Sequence, residues 1–286
     1  MGEGWAVDYL VPDDLAAAVE MRAGGVSVLA GGTDIYAQHV GRPLPDPLLD
    51  IGGLTELRGI ARDGDAFRIG ALTRWADLAA ADLPSCFDGL RAAAREVGGI
   101  QIQHAATVGG NLCNASPAAD GVPPLLTLEA SVELTSRAGV RVLPLEAFLT
   151  GYRETALRSD ELLTAVVVPT LEGTRSAFRK LGLRSFLVIS VVMVAAAVGI
   201  GPDGRVEVAR IAVGACSPVA RRIRALEDEL LDRPAVAVEE ISNATIREHL
   251  SVLEPIDDVR ATAAYRLDAA SILVTRALAA CGGEPG

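Results

Sequence analysis

Two glycine pairs set among short polar side chains constrain this chain more than any other feature: VLAGGTDI at 28–35 and ATVGGNLCNASPAAD at 106–120. The first closes VSVLA (26–30), an apolar run that reads as a short buried strand. Glycines leaving a strand carry no Cβ, so the backbone can take φ > 0 and turn several N–H groups onto one anion, usually a phosphate. Ala30, Gly31, Gly32, Thr33 and Asp34 would supply those amides, and Thr33 a hydroxyl. Alone, the motif fits a plain strand-to-loop turn slightly better. The second pair sits in Thr107, Gly109, Gly110 and Asn111, with Asn114, Ser116 and Asp120 behind it, and shows no clear period, so an irregular segment is expected. Long irregular segments in a compact domain are usually functional, because their backbone polar groups need partners. Two loops of this kind predict an extended ligand with a diphosphate at its centre.

Around the motifs, periodicity predicts a helix over 15–22, with Asp13 or Asp14 as N-cap and Gly24-Gly25 as its stop. GRPLPDP (41–47) is too rich in proline for regular structure. A strand is expected at LLDIGGL, another at FRIGA turning into a helix capped by Thr73, and a second helix over 90–97. Strands are expected over 125–128, 131–136 and 161–169. The character changes at 170–174, which sets a boundary between domains 1–172 (lobes about 1–58 and 59–172) and 173–286. The second domain opens with AFRKLGLRSF, followed by an apolar strand within 186–200, a GPDG turn and a return over 206–214, together a β-hairpin. Helices over 221–231, 242–250 and 257–280 complete it.

At 286 residues, half of them hydrophobic and 22% charged, the chain can build two cores and is not a disordered protein. A net charge of −11 argues against nucleic acid, which needs clustered Lys and Arg, and reads as solubility. Lys180 is the only lysine. Cys86, Cys113, Cys216 and Cys281 lie far apart, and His39, His104 and His249 have no metal-like spacing. No iron–sulfur cluster, zinc site or disulfide framework is therefore expected in this chain. Dinucleotide G-x-G-x-x-G and P-loop patterns are missing, and no Ser/His/Asp, Cys/His or paired-carboxylate constellation stands out. The start, MGEGWAVDYLVPDDL, lacks a basic stretch followed by an apolar run. The fifteen apolar residues of 186–200 fall short of the about 20 that span a membrane. A soluble, cytoplasmic protein is expected.

VLAGGTDI and QIQHAATVGGNLCNASPAAD, with LLDIGGLTEL, GALTRWADL and FLTGYRETALRSDELLTAVVVP, resemble the FAD-binding medium subunit of the xanthine dehydrogenase and carbon monoxide dehydrogenase family of molybdenum hydroxylases. The likeness runs through most of the chain, and the last segment leans toward the xanthine dehydrogenase branch. It implies an α+β fold: a two-lobed FAD-binding domain of the vanillyl-alcohol-oxidase (PCMH) type, then a smaller α/β domain of the CO dehydrogenase flavoprotein C-terminal type. By the same resemblance, Val28, Leu29, Ala30, Gly31, Gly32, Thr33, Asp34 and Ile35, with Thr107, Val108, Gly109, Gly110 and Asn111, would surround the pyrophosphate and ribityl chain. Asp120 would add a polar contact, and Val97 and Leu163 apolar contacts to the flavin rings. Lys180 matches a family lysine that reaches the isoalloxazine; the alternative for it is a solvated surface lysine. Gln103 and His104 replace the pattern's usual arginine region, so the loop must be supported differently here.

In this family a large subunit hydroxylates the substrate at a molybdenum cofactor and a small subunit relays electrons through two [2Fe–2S] clusters. The flavin subunit passes them to NAD, oxygen or a quinone. The resemblance implies that last role for this chain, with FAD as its cofactor, those two subunits as partners and a dimer of heterotrimers as the assembly. No catalytic acid or base is expected, because the cofactor carries the redox chemistry. A purine is the preferred substrate class of the complex, with aldehydes, N-heterocycles and carbon monoxide open. Two rivals stand beside this reading: a stand-alone flavin-dependent oxidoreductase, and a scaffold subunit that has lost FAD. Intact glycine pairs argue against the scaffold, which gains nothing from their conformational cost.

Overall fold

Strand Ser27–Leu29 belongs to a three-stranded parallel sheet, in the order Tyr9–Leu10, Leu48–Asp50, Ser27–Leu29. The computed structural model describes residues 7–184 and 188–282; the first six residues of the amino-terminal reading, and Phe186 and Leu187 of the expected strand, lie outside them. Parallel strands need a crossover, and helix Leu15–Arg22 lies between the first two strands in the chain. Asp14 caps it by accepting from the Ala17 amide at 2.8 Å, and Gly25 follows it at φ +78. Ala18 and Val19 pack on Leu49, Ile51, Leu54 and Leu57, a small core that is the first lobe.

The second sheet is antiparallel, in the order Ile60–Asp63, Ala66–Gly70, Leu162–Pro169, Ser131–Ser136, Gly139–Pro144. The strand latest in sequence, Leu162–Pro169, enters between two earlier ones, with Ala165 opposite Gly70 on one side and Val166 opposite Val132 on the other. Leu162 joins the first lobe's core while Leu163, Val166 and Val168 join the second's, so one strand fastens the lobes together.

Three expectations fail in this lobe. Residues 100–120 are not irregular: they hold helices Ile100–Ala105 and Val108–Asn114. Thr107 caps the second of these by accepting from the Gly110 amide at 3.1 Å, and Ala115 ends it at φ +44. Residues 125–128 lie largely in helix Val122–Thr127, not in a strand. Its prolines stand in the first turn, where their missing N–H costs nothing, and all six residues are buried, so no helical period shows in the sequence. Thr73 does not cap helix Trp75–Ala80; its hydroxyl bridges the amide and carbonyl of Gly59, and Asp77 accepts from the Arg74 amide instead.

The third sheet is antiparallel, Thr174–Leu181, Val192–Ile200, Val206–Gly214, Arg221–Arg222. The expected hairpin is its centre, with Ala195 opposite Ala212. Val194, Ala196 and Val198 face Leu273, Val274 and Ala277 of helix Ala263–Gly282. Met193 and Ala195 meet Ala93 of helix Asp88–Glu96 on the other face. A strand covered on both faces reads as a continuous apolar run rather than an alternation. The closing helix starts at Ala263, later than expected, because Asp258 gathers the Arg260 and Ala261 amides and the Arg266 guanidinium into a turn. Helix Arg224–Leu230 likewise starts late, since Arg221–Arg222 pairs as an edge strand. Among the described residues no helix is long and apolar enough to cross a membrane.

Candidate cofactor-binding site

A cleft of about 630 Å³ opens between the first two sheets, within the roughly 300–1,000 Å³ typical of cofactor sites. On one side the chain leaves strand Ser27–Leu29 through Ala30 to Asp34 into the short helix Ile35–Gln38. Gly32 takes φ +72, where an L side chain is strained. A Cβ on Gly31 would lie 2.2 Å from the carbonyl oxygen of Ala105, so at this point the first lobe's backbone runs directly against the second's. The amides of Gly31, Gly32, Thr33 and Asp34 find no hydrogen-bond partner among the described residues. A row of amides without protein partners on a cleft suits an anion.

The second glycine pair works differently from its expected part as an anion loop. The Val108 amide donates to Thr73 O at 2.9 Å, the Gly109 amide to Ala71 O at 2.8 Å, and the Gly110 amide to Thr107 Oγ1. These donors are already used. Gly109 is needed for contact, since its Cβ would stand 2.8 Å from the Ala71 methyl carbon. The polar group left over is Asn111 Oδ1, buried and without a partner, on a residue that lines the cleft.

Of the residues expected at the site, Val28, Ala30, Gly31, Gly32, Thr33, Asp34, Ile35, Val97, Thr107, Gly109, Gly110, Asn111 and Leu163 line this cleft. Leu29 and Val108 are buried beneath it. Asp120 and Lys180 are a correction: neither lines it. Lys180 is neither solvated nor turned toward the cleft. Its Nζ donates to Asp120 Oδ2 at 2.7 Å and to Glu96 O at 3.0 Å, with both side chains 8% exposed. Ser190 Oγ donates to the other Asp120 oxygen at 2.6 Å. Burial pushes the Asp120 carboxyl above its usual range, opposed by Lys180 and Ser190. The pair acts on the cleft only indirectly, through the Glu96 carbonyl next to Val97. Gln103, standing for the usual arginine, donates to Arg95 O at 2.8 Å and so supports the same helix end.

Several lining residues escaped the motifs: Arg22, Gln38, His39, Ile102, Leu157 and Glu161, while Cys113 and Asn114 lie inside the second motif without an assigned contact. Arg22 Nε donates to Glu161 O at 3.0 Å and its Nη1 to Val26 O; burial lowers its guanidinium. Glu161 is 2% exposed and takes two bonds from Arg141, at 2.5 and 2.8 Å, which hold its carboxyl below the usual range. Cys113 faces the open cleft yet is enclosed by protein elsewhere, and burial pushes its thiol up to about 12 against the pull of Arg22. No local pattern could have flagged Arg22, Ile102 and Glu161, because they come from a helix end, another helix and the residue before a strand, joined only by folding.

The family model described as the FAD binding domain in molybdopterin dehydrogenase matches residues 5–171, and that of the CO dehydrogenase flavoprotein C-terminal domain matches 176–281. The chain is 32% identical over 284 residues to the xanthine dehydrogenase FAD-binding subunit of Escherichia coli O157:H7, covering 94% of this chain and 95% of that one. It is 31% identical over 283 residues to caffeine dehydrogenase subunit beta of Pseudomonas sp. (strain CBB1), covering 96% and 94%. Among solved structures it resembles a chain of carbon monoxide dehydrogenase from Hydrogenophaga pseudoflava, solved in a form lacking the Mo-pyranopterin moiety of the molybdenum cofactor. The TM-score is 0.86 at 28% identity, over 96% of each chain.

Proposed function

The chain belongs to the family of FAD-binding subunits of molybdopterin dehydrogenases, and we propose that it holds FAD in the cleft between its first two sheets. The observation that carries this reading is the row of unpartnered amides at Gly31, Gly32, Thr33 and Asp34 on this cleft. A diphosphate supplies acceptors for the amides. Val97, Ile102 and Leu163 offer apolar surface for flat rings. The residues present therefore fit the cofactor.

FAD, when bound, supplies the capacity to accept and release electrons singly or in pairs. The chain's own work is binding and orientation. Gly31 lets the lobes close, Thr107 caps the helix carrying Asn111, and Arg141 keeps Glu161 ionised at the cleft wall. An ionised, doubly hydrogen-bonded carboxylate is a support rather than an acid, and no proton transfer is assigned to it.

In the proposed complex, electrons arrive from [2Fe–2S] clusters of a small partner subunit and leave to a terminal acceptor. Substrate is oxidised at a molybdenum cofactor in a large subunit. One finding supports this division. Relatives of nearly the same length carry names with different substrates, xanthine and caffeine, as expected if another chain selects the substrate. The test is a spectrum of the purified chain before and after incubation with FAD and desalting. Retained flavin bands that bleach with dithionite support the reading; a colourless protein that takes up no FAD from excess overturns it.

A further inference from the structure

Asp34 puts a carboxylate at the end of the same loop whose amides face the proposed diphosphate site, and like charges there repel. Among the described residues Asp34 makes no ion pair. Its Oδ1 instead accepts from Asn114 Nδ2 at 2.9 Å, across the cleft from the second lobe. Asn114 Oδ1 in turn accepts from Arg153 Nη1 at 2.6 Å and from Gln38 Nε2 at 3.3 Å. This fixes the amide's orientation, since only one arrangement gives both donors an acceptor and the carboxylate a donor.

Arg153 is built into place. Its backbone sits at φ +55, unusual for a residue other than glycine, asparagine or aspartate, and its amide donates to Ala115 O at 3.1 Å, just past the end of the helix that carries Asn114. The side chain makes no ion pair among the described residues. Arg22, the guanidinium that lines the cleft, is already committed to two carbonyls, whereas Arg153 reaches the cleft wall through Asn114. We infer that Arg153 is the charge-balancing residue of the diphosphate site: aimed by Asn114, it offsets Asp34 and leaves the loop electrostatically open to a dinucleotide diphosphate. The inference rests on the FAD reading and adds to it a residue outside both glycine motifs.

The experiment titrates the full chain, stripped of flavin, with FAD, ADP and riboflavin at low and high salt. Binding of FAD by the wild-type chain is checked first; its failure sinks the FAD reading and this inference with it, before any variant is compared. Given that binding, Arg153→Gln weakens FAD and ADP by about two- to fivefold at low salt, the range of a partly screened charge pair. The loss shrinks at high salt, riboflavin, which has no phosphate, is unaffected, and Arg153→Lys restores most of the affinity. In an Asp34→Asn background, removing Arg153 costs much less. Equal binding by wild type and Arg153→Gln at every salt concentration overturns the inference. So does equal weakening of FAD and riboflavin, which marks a purely structural role, or a lysine variant no better than glutamine.

Discussion

A methyl group on Gly31 would lie 2.2 Å from the carbonyl oxygen of Ala105, and backbone has no rotamer with which to yield. Gly31→Ala is expected to cost about 1–3 kcal/mol, the range of overpacked sites, and to release FAD by forcing the lobes apart. Thermal unfolding and flavin retention measured together check this; an unchanged melting temperature with full flavin would refute it. Gly32 differs, because its Cβ would meet the Tyr36 ring, a side chain that can turn, although φ +72 still penalises the change. Glu161 gives a pH prediction. Its carboxyl lies below 4.5 in the folded chain because of Arg141, so the stabilisation is present above the unfolded value and fades as pH falls through the folded one. Arg141→Met should lower stability at pH 7 by about 1.5–3 kcal/mol, and the gap to wild type should close toward pH 3. Denaturant midpoints at both pH values decide it. The role of Gly31 was legible in VLAGGTDI as a need for absent Cβ atoms, though the neighbour that enforces it was not. Glu161 was invisible as a site residue, since nothing in ELLTAVVVP marks its carboxylate as paired.

Helix Val108–Asn114 contains two adjacent glycines, each costing about 1 kcal/mol against alanine in a helix interior. Local preference argues against this helix, which is why the segment reads as irregular. Tertiary contact reverses the balance: Gly109 lies on Ala71, and the Val108 and Gly109 amides bond to carbonyls at the end of the second sheet. With so little intrinsic propensity, the Thr107 cap carries unusual weight. Thr107→Ala should cost about 1 kcal/mol and loosen FAD, whereas Thr107→Ser, which keeps the hydroxyl, should do neither. Paired denaturation and FAD titration test this, and equal behaviour of the two variants would dismiss the cap. Strand Val192–Ile200 is the opposite case. Its apolar run and the GPDG turn state a hairpin directly, because both faces are buried and the turn is local.

Lys180 and Asp120 join parts of the chain that the two family models match separately, with Ser190 and the Glu96 carbonyl completing the bridge. Removing one member of a buried pair leaves an uncompensated charge, so Lys180→Met should cost about 3–5 kcal/mol. Adding Asp120→Asn to it should recover much of that loss. Urea denaturation of the two variants checks the coupling, and a double variant as unstable as the single one would disprove it. The bridge also shows where sequence reasoning stops. Strand periods, the hairpin, the paired glycines and the anionic-ligand class followed from residues adjacent in the chain, because backbone freedom and hydrophobic period are local properties. Which amides stay unpartnered, which glycine pair is a packing contact, and that Lys180 turns to Asp120 rather than the cleft were set by folding. So was the meeting of Arg22, Asn114 and Glu161 around one cleft, with Arg153 held on Asn114. Hydrogen-bond satisfaction and burial depend on groups far apart in sequence, and those meet only when strand Leu162–Pro169 closes the two lobes together.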